Sequence, residues 1–228
     1  MKIALLGYGK MGKLIEQIAI KNGHSIVVRA SKNFCHWDDL SQADVAIDFS
    51  TADAVFDHLS HCIKRAVPIV IGTTGWEERL ADLQKMIADR PIGCLYAPNF
   101  SIGVYLFSQI VAYAAALMQP WTDYDVSALE LHHKTKLDSP SGTAKSLAYQ
   151  IKEQMPRLAD LNFASVRCGH MPGTHTIYFD SPVDTITITH QAHSRDGFAQ
   201  GALLAAQWLK TRTGFFTLQD IIGPLKGE

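Results

Sequence analysis

The feature that most constrains this chain stands at its start. Lys2-Ile3-Ala4-Leu5-Leu6 is a short apolar run that breaks into Gly7-Tyr8-Gly9-Lys10-Met11-Gly12, and Lys13-Leu14-Ile15-Glu16-Gln17-Ile18-Ala19 carries on with helical spacing. Strand, glycine turn and amphipathic helix in that order open a βαβ unit, so a parallel sheet covered by helices is the expected fold. Gly7 makes the tight turn, Gly9 admits a pyrophosphate to the backbone, and Gly12 lets the helix lie close on the strand. Gly7, Tyr8, Gly9, Lys10, Met11 and Gly12 are therefore the expected pyrophosphate loop of a dinucleotide-binding domain.

The rest of the first hundred residues continues the alternation. A second strand, Ser25 to Ala30, follows the Asn22-Gly23 turn, and Asp44 to Ser50, Val67 to Ile71 and Cys94 to Ala97 are further buried runs. Ligands of such sheets sit beyond the carboxyl ends of the strands. That rule puts the turns with Gly72, Thr73 and Thr74 and with Asn99 and Phe100 on the cofactor rim, beside Ser50 and Ala97, where small hydroxyl and amide groups can hold ribose and nicotinamide; a surface turn with no ligand is the alternative for each. An NAD-binding unit usually ends its second strand in an acid for the ribose diol. Between Glu16 and Asp38 this chain has no carboxylate, and the strand runs out through Arg29, Ser31 and Lys32, which suit a 2′-phosphate. NADPH is the expected cofactor, ahead of NADH.

Beyond residue 100 the pattern changes. Ile102 to Met118 reads as a long apolar helix, and Ala164 to Cys168, Thr174 to Asp180 and Thr185 to Gln191 alternate as strands of a one-sided, mostly antiparallel sheet. The expected organisation is α/β: a Rossmann-like domain over 1–100, a second α+β domain over 101–195, and a closing helix over 196–228 that packs back on the first. At 228 residues and 47% hydrophobic, the chain has enough apolar surface for such cores. A formal net charge of -1 with no basic run speaks against nucleic-acid or membrane-surface partners. No apolar stretch approaches the roughly twenty residues that span a bilayer, and no signal-peptide pattern opens the chain, so a cytoplasmic location is expected. Cys35, Cys62, Cys94 and Cys168 are dispersed, without a Cys-x-x-Cys pair, and read as buried reduced thiols.

Chemistry concentrates between Glu130 and Thr143. Asp125 to His132 is β-compatible, which places Glu130 and His132 on one face. Past Pro140, Ala144, Leu147, Ala148, Ile151 and Met155 recur at helical spacing, so a helix starts near Ser139 to Ser141. Ser139 or Ser141 suits the cap, Pro140 the first helical position, and Gly142 the close approach of an anion. Lys136, in the intervening loop, adds a full positive charge, and a neighbouring imidazole can deliver a proton near neutral pH. For any one of these residues an ordinary strand–loop–helix is explanation enough; for all of them within fourteen positions it is not. A small, anionic, proton-accepting substrate fits.

These residues carry a resemblance. The stretch Glu130-x-His132-His133-x-x-Lys136-x-Asp138-x-Pro140-Ser141-Gly142-Thr143-Ala144 is similar to the signature of the 4-hydroxy-tetrahydrodipicolinate (dihydrodipicolinate) reductase family. Asp48-Phe49-Ser50, Gly72-Thr73-Thr74-Gly75, Ala97-Pro98-Asn99-Phe100-Ser101, Arg167-x-Gly169 and Gly173-x-His175 support it, as does His190-x-Ala192-x-Ser194-Arg195-x-x-Phe198-Ala199. The resemblance implies NAD(P)H-dependent reduction of a cyclic dicarboxylate in the diaminopimelate route to lysine. It further implies a homotetramer built through the second domain, His132 as proton donor with Lys136 assisting, and carboxylate contacts from His133, Lys136, Ser141, Gly142 and Thr143. An acid common in that family near the end of the second strand is replaced here by Ser31 and Lys32. Glu130 is left between two roles, orienting the imidazole or forming a structural ion pair. Three other functions fit parts of the pattern. A metal enzyme would use the His58/His61, His190/His193 or His132/His133 pairs, but no compact ligand group is visible along the chain and no metal is expected. A Rossmann oxidoreductase acting on an amino-acid semialdehyde would share only the N-terminal features. A nucleotide-sensing regulator would not need a proton donor beside an anion cradle.

Overall fold

The computed structural model describes residues 1–31 and 37–223; Lys32 and Cys35, both named above, lie outside the described residues. In chain order the elements are β1 (Lys2–Leu6), α1 (Lys10–Lys21), β2 (Ser25–Ala30), β3 (Val45–Asp48), α2 (Val55–Lys64), β4 (Ile69–Ile71), α3 (Leu80–Ile87), β5 (Gly93–Tyr96), α4 (Ile102–Met118), β6 (Asp125–His132), α5 (Gly142–Gln154), β7 (Phe163–Arg167), β8 (Thr174–Asp180), β9 (Thr185–Gln191), α6 (Asp196–Leu209), β10 (Gly214–Phe216) and α7 (Leu218–Ile222). The chain divides into two compact units, Met1–Ser101 with Phe198–Glu228, and Ile102–Gly197.

The first unit is a six-stranded parallel sheet in the order β10-β5-β4-β3-β1-β2. Its central strands are buried along their length, save Lys2 at the start of β1, which is why they read as apolar runs rather than as alternating ones. The chain leaves β1 for β2 on one side and returns to β3 on the other, and the crevice between β1 and β3 is the topological switch point where ligands of such sheets bind. Gly7 turns out of β1 there at a φ of 98°, and a side chain on it would strike the Phe49 carbonyl at the end of β3. A Cβ on Gly12 would lie 2.3 Å from the Gly7 carbonyl oxygen, so α1 approaches the turn as closely as only glycine permits.

The segment expected as one closing helix is three elements. Helix α6 buries Ala199, Ala202, Ala205, Ala206 and Leu209, β10 then joins the sheet edge parallel to β5, and α7 ends the described chain. Gly214-Phe215-Phe216 is too short a run to show a period, and its pairing with Gly93 to Leu95 is a long-range event.

The second unit is a four-stranded sheet in the order β7-β6-β8-β9. Its core lies between the sheet and the pair α4 and α5, around Phe107, Val111, Ala115, Leu147, Ile151, Met155, Ile177 and Phe179. The sheet is mixed rather than purely antiparallel. β6 and β7 run parallel because α5 lies between them as a crossover, whereas β6, β8 and β9 are joined antiparallel. Helix α5 starts one residue after its cap, Ser141, whose hydroxyl accepts the Ala144 N–H at 3.1 Å. Pro140 stands ahead of the cap, not at the first helical position, and its bond to Ser139 is cis. Among the described residues no helix is long and apolar enough to cross a membrane. Cys62 and Cys94 are buried and Cys168 is half-buried.

Candidate active site

In the second unit, strand β6 turns Glu130 and His132 to the same buried face, as its alternation requires. Glu130 is fully buried and organises its surroundings through Oε1, which accepts from the Ser141 backbone N–H at 3.0 Å, the Ser165 hydroxyl at 2.8 Å and Arg167 Nη2 at 2.7 Å. Burial alone would raise its carboxyl; the donors from Ser141, Arg167 and Ser165 outweigh that and hold it at about 2, so it is ionised at neutral pH. Of the two roles left open for Glu130, the ion pair is formed, with Arg167. Oε1 makes the ion pair, and Oε2 faces two imidazoles, His132 Nδ1 at 3.5 Å and His175 Nε2 at 3.6 Å.

His132 is itself buried. Burial pushes its imidazole below the ordinary 6.5; the Glu130 charge opposes that shift, and Lys136 and Arg167 reinforce it. Its Nε2 edge meets Gly173, where a Cβ would stand 3.0 Å from that nitrogen. Only a glycine lets the backbone come this close to that edge of the ring.

Lys136 Nζ lies 2.6 Å from Asp138 Oδ1, and the Asp138 carboxylate also takes a hydrogen bond from the Gly142 N–H at the start of α5. Lys136 first, and these N–H groups with it, hold the Asp138 carboxyl below its usual range. The cation and the helix start singled out as an anion cradle therefore do hold a carboxylate, the chain's own. Ser141 is buried and committed, its N–H to Glu130 and its hydroxyl to the cap, so it shapes the cradle while Gly142 and Thr143 follow it at the open helix end. His133 is half-buried, with Nδ1 2.8 Å from the Thr135 hydroxyl and Nε2 3.5 Å from Arg195.

In the first unit, the residues fit a dinucleotide. The N-terminus of α1 has no acidic residue in its first turn and no side-chain cap, and a Cβ on Gly9 would meet nothing within 4 Å, which leaves an open backbone cradle flanked by Lys10. At the ends of β3 and β4 the buried Asp48 takes three donors on Oδ1: the Ser50 N–H at 3.0 Å, the Ser50 hydroxyl at 2.7 Å and the Thr73 hydroxyl at 2.6 Å. His58 closes on Oδ2 at 2.6 Å. Both hydroxyl protons are spent on Asp48, and the buried Thr73 oxygen accepts the Ser50 N–H at 2.7 Å, so of the two hydroxyls only that of Ser50 offers an acceptor oxygen to the rim, which suits a ribose hydroxyl or a carboxamide NH₂ and not a phosphate. Ala97 and Phe100 are buried, so only their backbone can serve the rim, and Asn99 folds its side chain onto the Ser101 N–H. Gly72 is half-buried and Thr74 exposed beside it. Arg29 stands at the end of β2 as expected, ion-paired with Glu16, which also accepts from Tyr8, so its charge is already balanced. Ser31 is exposed at the strand end.

Sequence reasoning passed over Ser165, Arg167 and His175 as members of the site. Their strands reach Glu130 through register, Glu130 opposite Ser165 on β7 and opposite His175 on β8. The same register assembles what the chain order hid, a compact donor set of Glu130, His132 and His175 with one ligand atom from each within 4.8 Å of the others. Arg167 already matches the carboxylate's charge, so the trio is a hub of two imidazoles around one buried carboxylate oxygen rather than a cation cage. Of the other histidines paired from sequence, His58 is engaged with Asp48, His61 is stacked on Trp37, and His190 lies against Phe107.

Residues 1–100 match the family described as dihydrodipicolinate reductase, N-terminus, and residues 103–222 match its C-terminus. The chain is 42% identical to the 4-hydroxy-tetrahydrodipicolinate reductase of Christiangramia forsetii, over 99% of each protein. It is 33% identical to that of Archaeoglobus fulgidus, over 97% of this chain and all of the relative. Among solved structures, a dipicolinate-bound dihydrodipicolinate reductase from Paenisporosarcina sp. TG-14 superposes with a TM-score of 0.81 at 25% identity, covering 97% of this chain and 99% of that one. With both halves matched and a full-length relative at this identity, the chain belongs to the dihydrodipicolinate reductase family.

Proposed function

We propose that this chain reduces 4-hydroxy-tetrahydrodipicolinate to tetrahydrodipicolinate with NAD(P)H, in diaminopimelate and lysine biosynthesis. The observation that carries the proposal is a buried imidazole, His132, flanked by an ionised carboxylate and set one short loop from Lys136 and the start of α5. A dicarboxylate needs a cation and backbone N–H groups, and the reduction needs a proton; these residues offer all three. A bound reduced nicotinamide supplies the hydride.

In the proposed mechanism a substrate carboxylate takes the place of Asp138 on Lys136 and the Gly142 N–H. Asp138 is about half exposed, so its side chain has room to turn away. Lys136, released, binds the carboxylate, with His133 and Thr143 beside it. The incoming negative charge favours imidazolium, so substrate binding itself raises the proton affinity that burial lowered in His132. His132 then delivers its proton as the ring is reduced. Gly7 to Gly12, Ser50, Gly72 to Thr74 and Ala97 to Phe100 hold the cofactor in the first unit.

NADPH is proposed as the preferred form, supported by the absence of any carboxylate on β2 and by Arg29 beside Ser31. Glu16, which neutralises Arg29, moderates the preference, and NADH should serve as well at some cost in affinity. A homotetramer built through the second unit is proposed from its open sheet face and from α4, which has no charged residue and exposes Leu106, Ile110, Tyr113 and Leu117. The deciding experiment is an assay of NADPH oxidation coupled to the synthase that generates the unstable substrate, repeated with NADH. Oxidation that depends on the dicarboxylate supports the reading, and none with either cofactor sinks it.

A further inference from the structure

Three buried polar atoms of the hub have no hydrogen-bond partner: Glu130 Oε2, His132 Nδ1 and His175 Nδ1. Orphaned groups at such depth call for a reason. The first two face each other at 3.5 Å, just beyond hydrogen-bonding distance, and His175 Nε2 is 3.6 Å from the same oxygen. Glu130 cannot turn to improve either contact, because Ser141, Ser165 and Arg167 fix its other oxygen. His175 is tied in turn to the α5 cap, with Nε2 3.3 Å from the Ser141 hydroxyl, and its ring stands edge-on to His132 at 5.2 Å.

A carboxylate oxygen opposite one nitrogen of an imidazole selects the tautomer that carries its proton there. We propose that Glu130 and His175 are positioning residues for the proton donor: the Glu130 oxygen that both rings face fixes His132 as the Nδ1–H tautomer and turns Nε2 away from the carboxylate, to the side of Gly173. Nε2 is then the nitrogen that gains the proton and gives it up. This rests on the reading of His132 as proton donor. The charged and titratable groups around that ring are Glu130 on its own strand, Lys136 and Asp138 from the loop before α5, Arg167 from β7 and His175 from β8, with His190 of β9 behind His175. Burial pushes His175 down to about 4, so at neutral pH it faces Glu130 as a neutral ring.

The amide variant Glu130→Gln separates this role from simple packing. Arg167 and the Ser141 N–H would hold the amide oxygen in the place of Oε1, which turns the NH₂ toward His132 and favours the opposite tautomer. The test is a long-range ¹⁵N–¹H correlation spectrum of the full-length protein with labelled histidines, His132 assigned by its loss in His132→Gln. The expected result is Nδ1–H in the unmodified protein, Nε2–H in Glu130→Gln, and a kcat roughly 10²- to 10⁴-fold lower in that variant with the KM for cofactor unchanged. Should Glu130→Gln fail to fold, His175 decides: His175→Gln, which keeps a donor near the position of Nε2, should retain clearly more turnover than His175→Leu. Finding Nε2–H on His132 in the unmodified protein, or a folded Glu130→Gln with unchanged kcat, overturns the proposal. An Nδ1–H tautomer in a protein that shows no dicarboxylate-dependent oxidation would refute the assigned reaction and support the assignment of Glu130.

Discussion

Gly173→Ala tests the geometry of proton delivery most directly. The new methyl would sit 3.0 Å from His132 Nε2 and 3.3 Å from Cδ2. Ordinary contact begins near 3.4 Å, so the ring must retreat by about 0.4 Å, and behind it stand Glu130 and the His175 ring. The methyl also fills the space where a proton acceptor must come within roughly 2.6–3.2 Å of that nitrogen. Overpacking of this kind costs about 1–3 kcal/mol, to which the φ of 156° at Gly173 adds backbone strain, and in a chain of this size each kcal/mol lowers Tm by roughly 2–4 °C. The catalytic loss should be larger, about 10²-fold or more in kcat, because the general acid is both displaced and screened. Cofactor affinity, measured by NADPH fluorescence, should not change. Gly169→Ala is the control from the same region: its φ of 55° makes alanine cost about 1–2 kcal/mol in stability, but its Cβ meets nothing within 4 Å. A folded Gly173→Ala enzyme with the kcat of the parent would show that the proton does not leave by this edge of His132.

Three further outcomes are expected. Because a general acid must be protonated and burial holds His132 below 6.5, kcat/KM should fall as pH rises through a value below 6.5, and the corresponding limb of kcat should lie at higher pH; coincident limbs in pH–rate profiles would contradict the charge coupling. Glu130, held from 4.5 down to about 2, stabilises the fold above pH 4.5 by about 3 kcal/mol, and this is lost as pH falls toward 2; Glu130→Gln should therefore lose less Tm than the parent between about pH 5 and pH 2.5, and parallel curves would argue against it. Gly201→Ala would put a Cβ 1.8 Å from the Phe100 carbonyl oxygen, so calorimetry should show a loss of about 3 kcal/mol or more, with the whole of α6 forced off that backbone.

Much of the site could be read from the chain because its parts are close in sequence. The alternation of Asp125 to His132 placed Glu130 beside His132, and Ser141 with the apolar spacing after it placed the start of α5. What surrounds them could not be read in the same way. Asp138 is a nearby residue that the pattern alone could not show lying on Lys136. Arg29 ran true to its strand position, yet its charge is balanced by Glu16 from the neighbouring helix.

The division follows the range of the forces. Periods of two and 3.6 residues, glycine turns and helix caps are local, so the sequence by itself determined the strand–turn–helix opening, the parallel sheet of the first unit and the faces of β6 and α5. Strand register is a property of the assembled sheet. Tertiary pairing decided that β7 lies beside β6 and that β10 completes the first sheet. It also decided that Glu130 gathers Ser165 and Arg167 from 35 and 37 residues away, with His175 opposite it on β8. A buried carboxylate must collect such donors to remain charged, and only the folded chain shows which ones it has found.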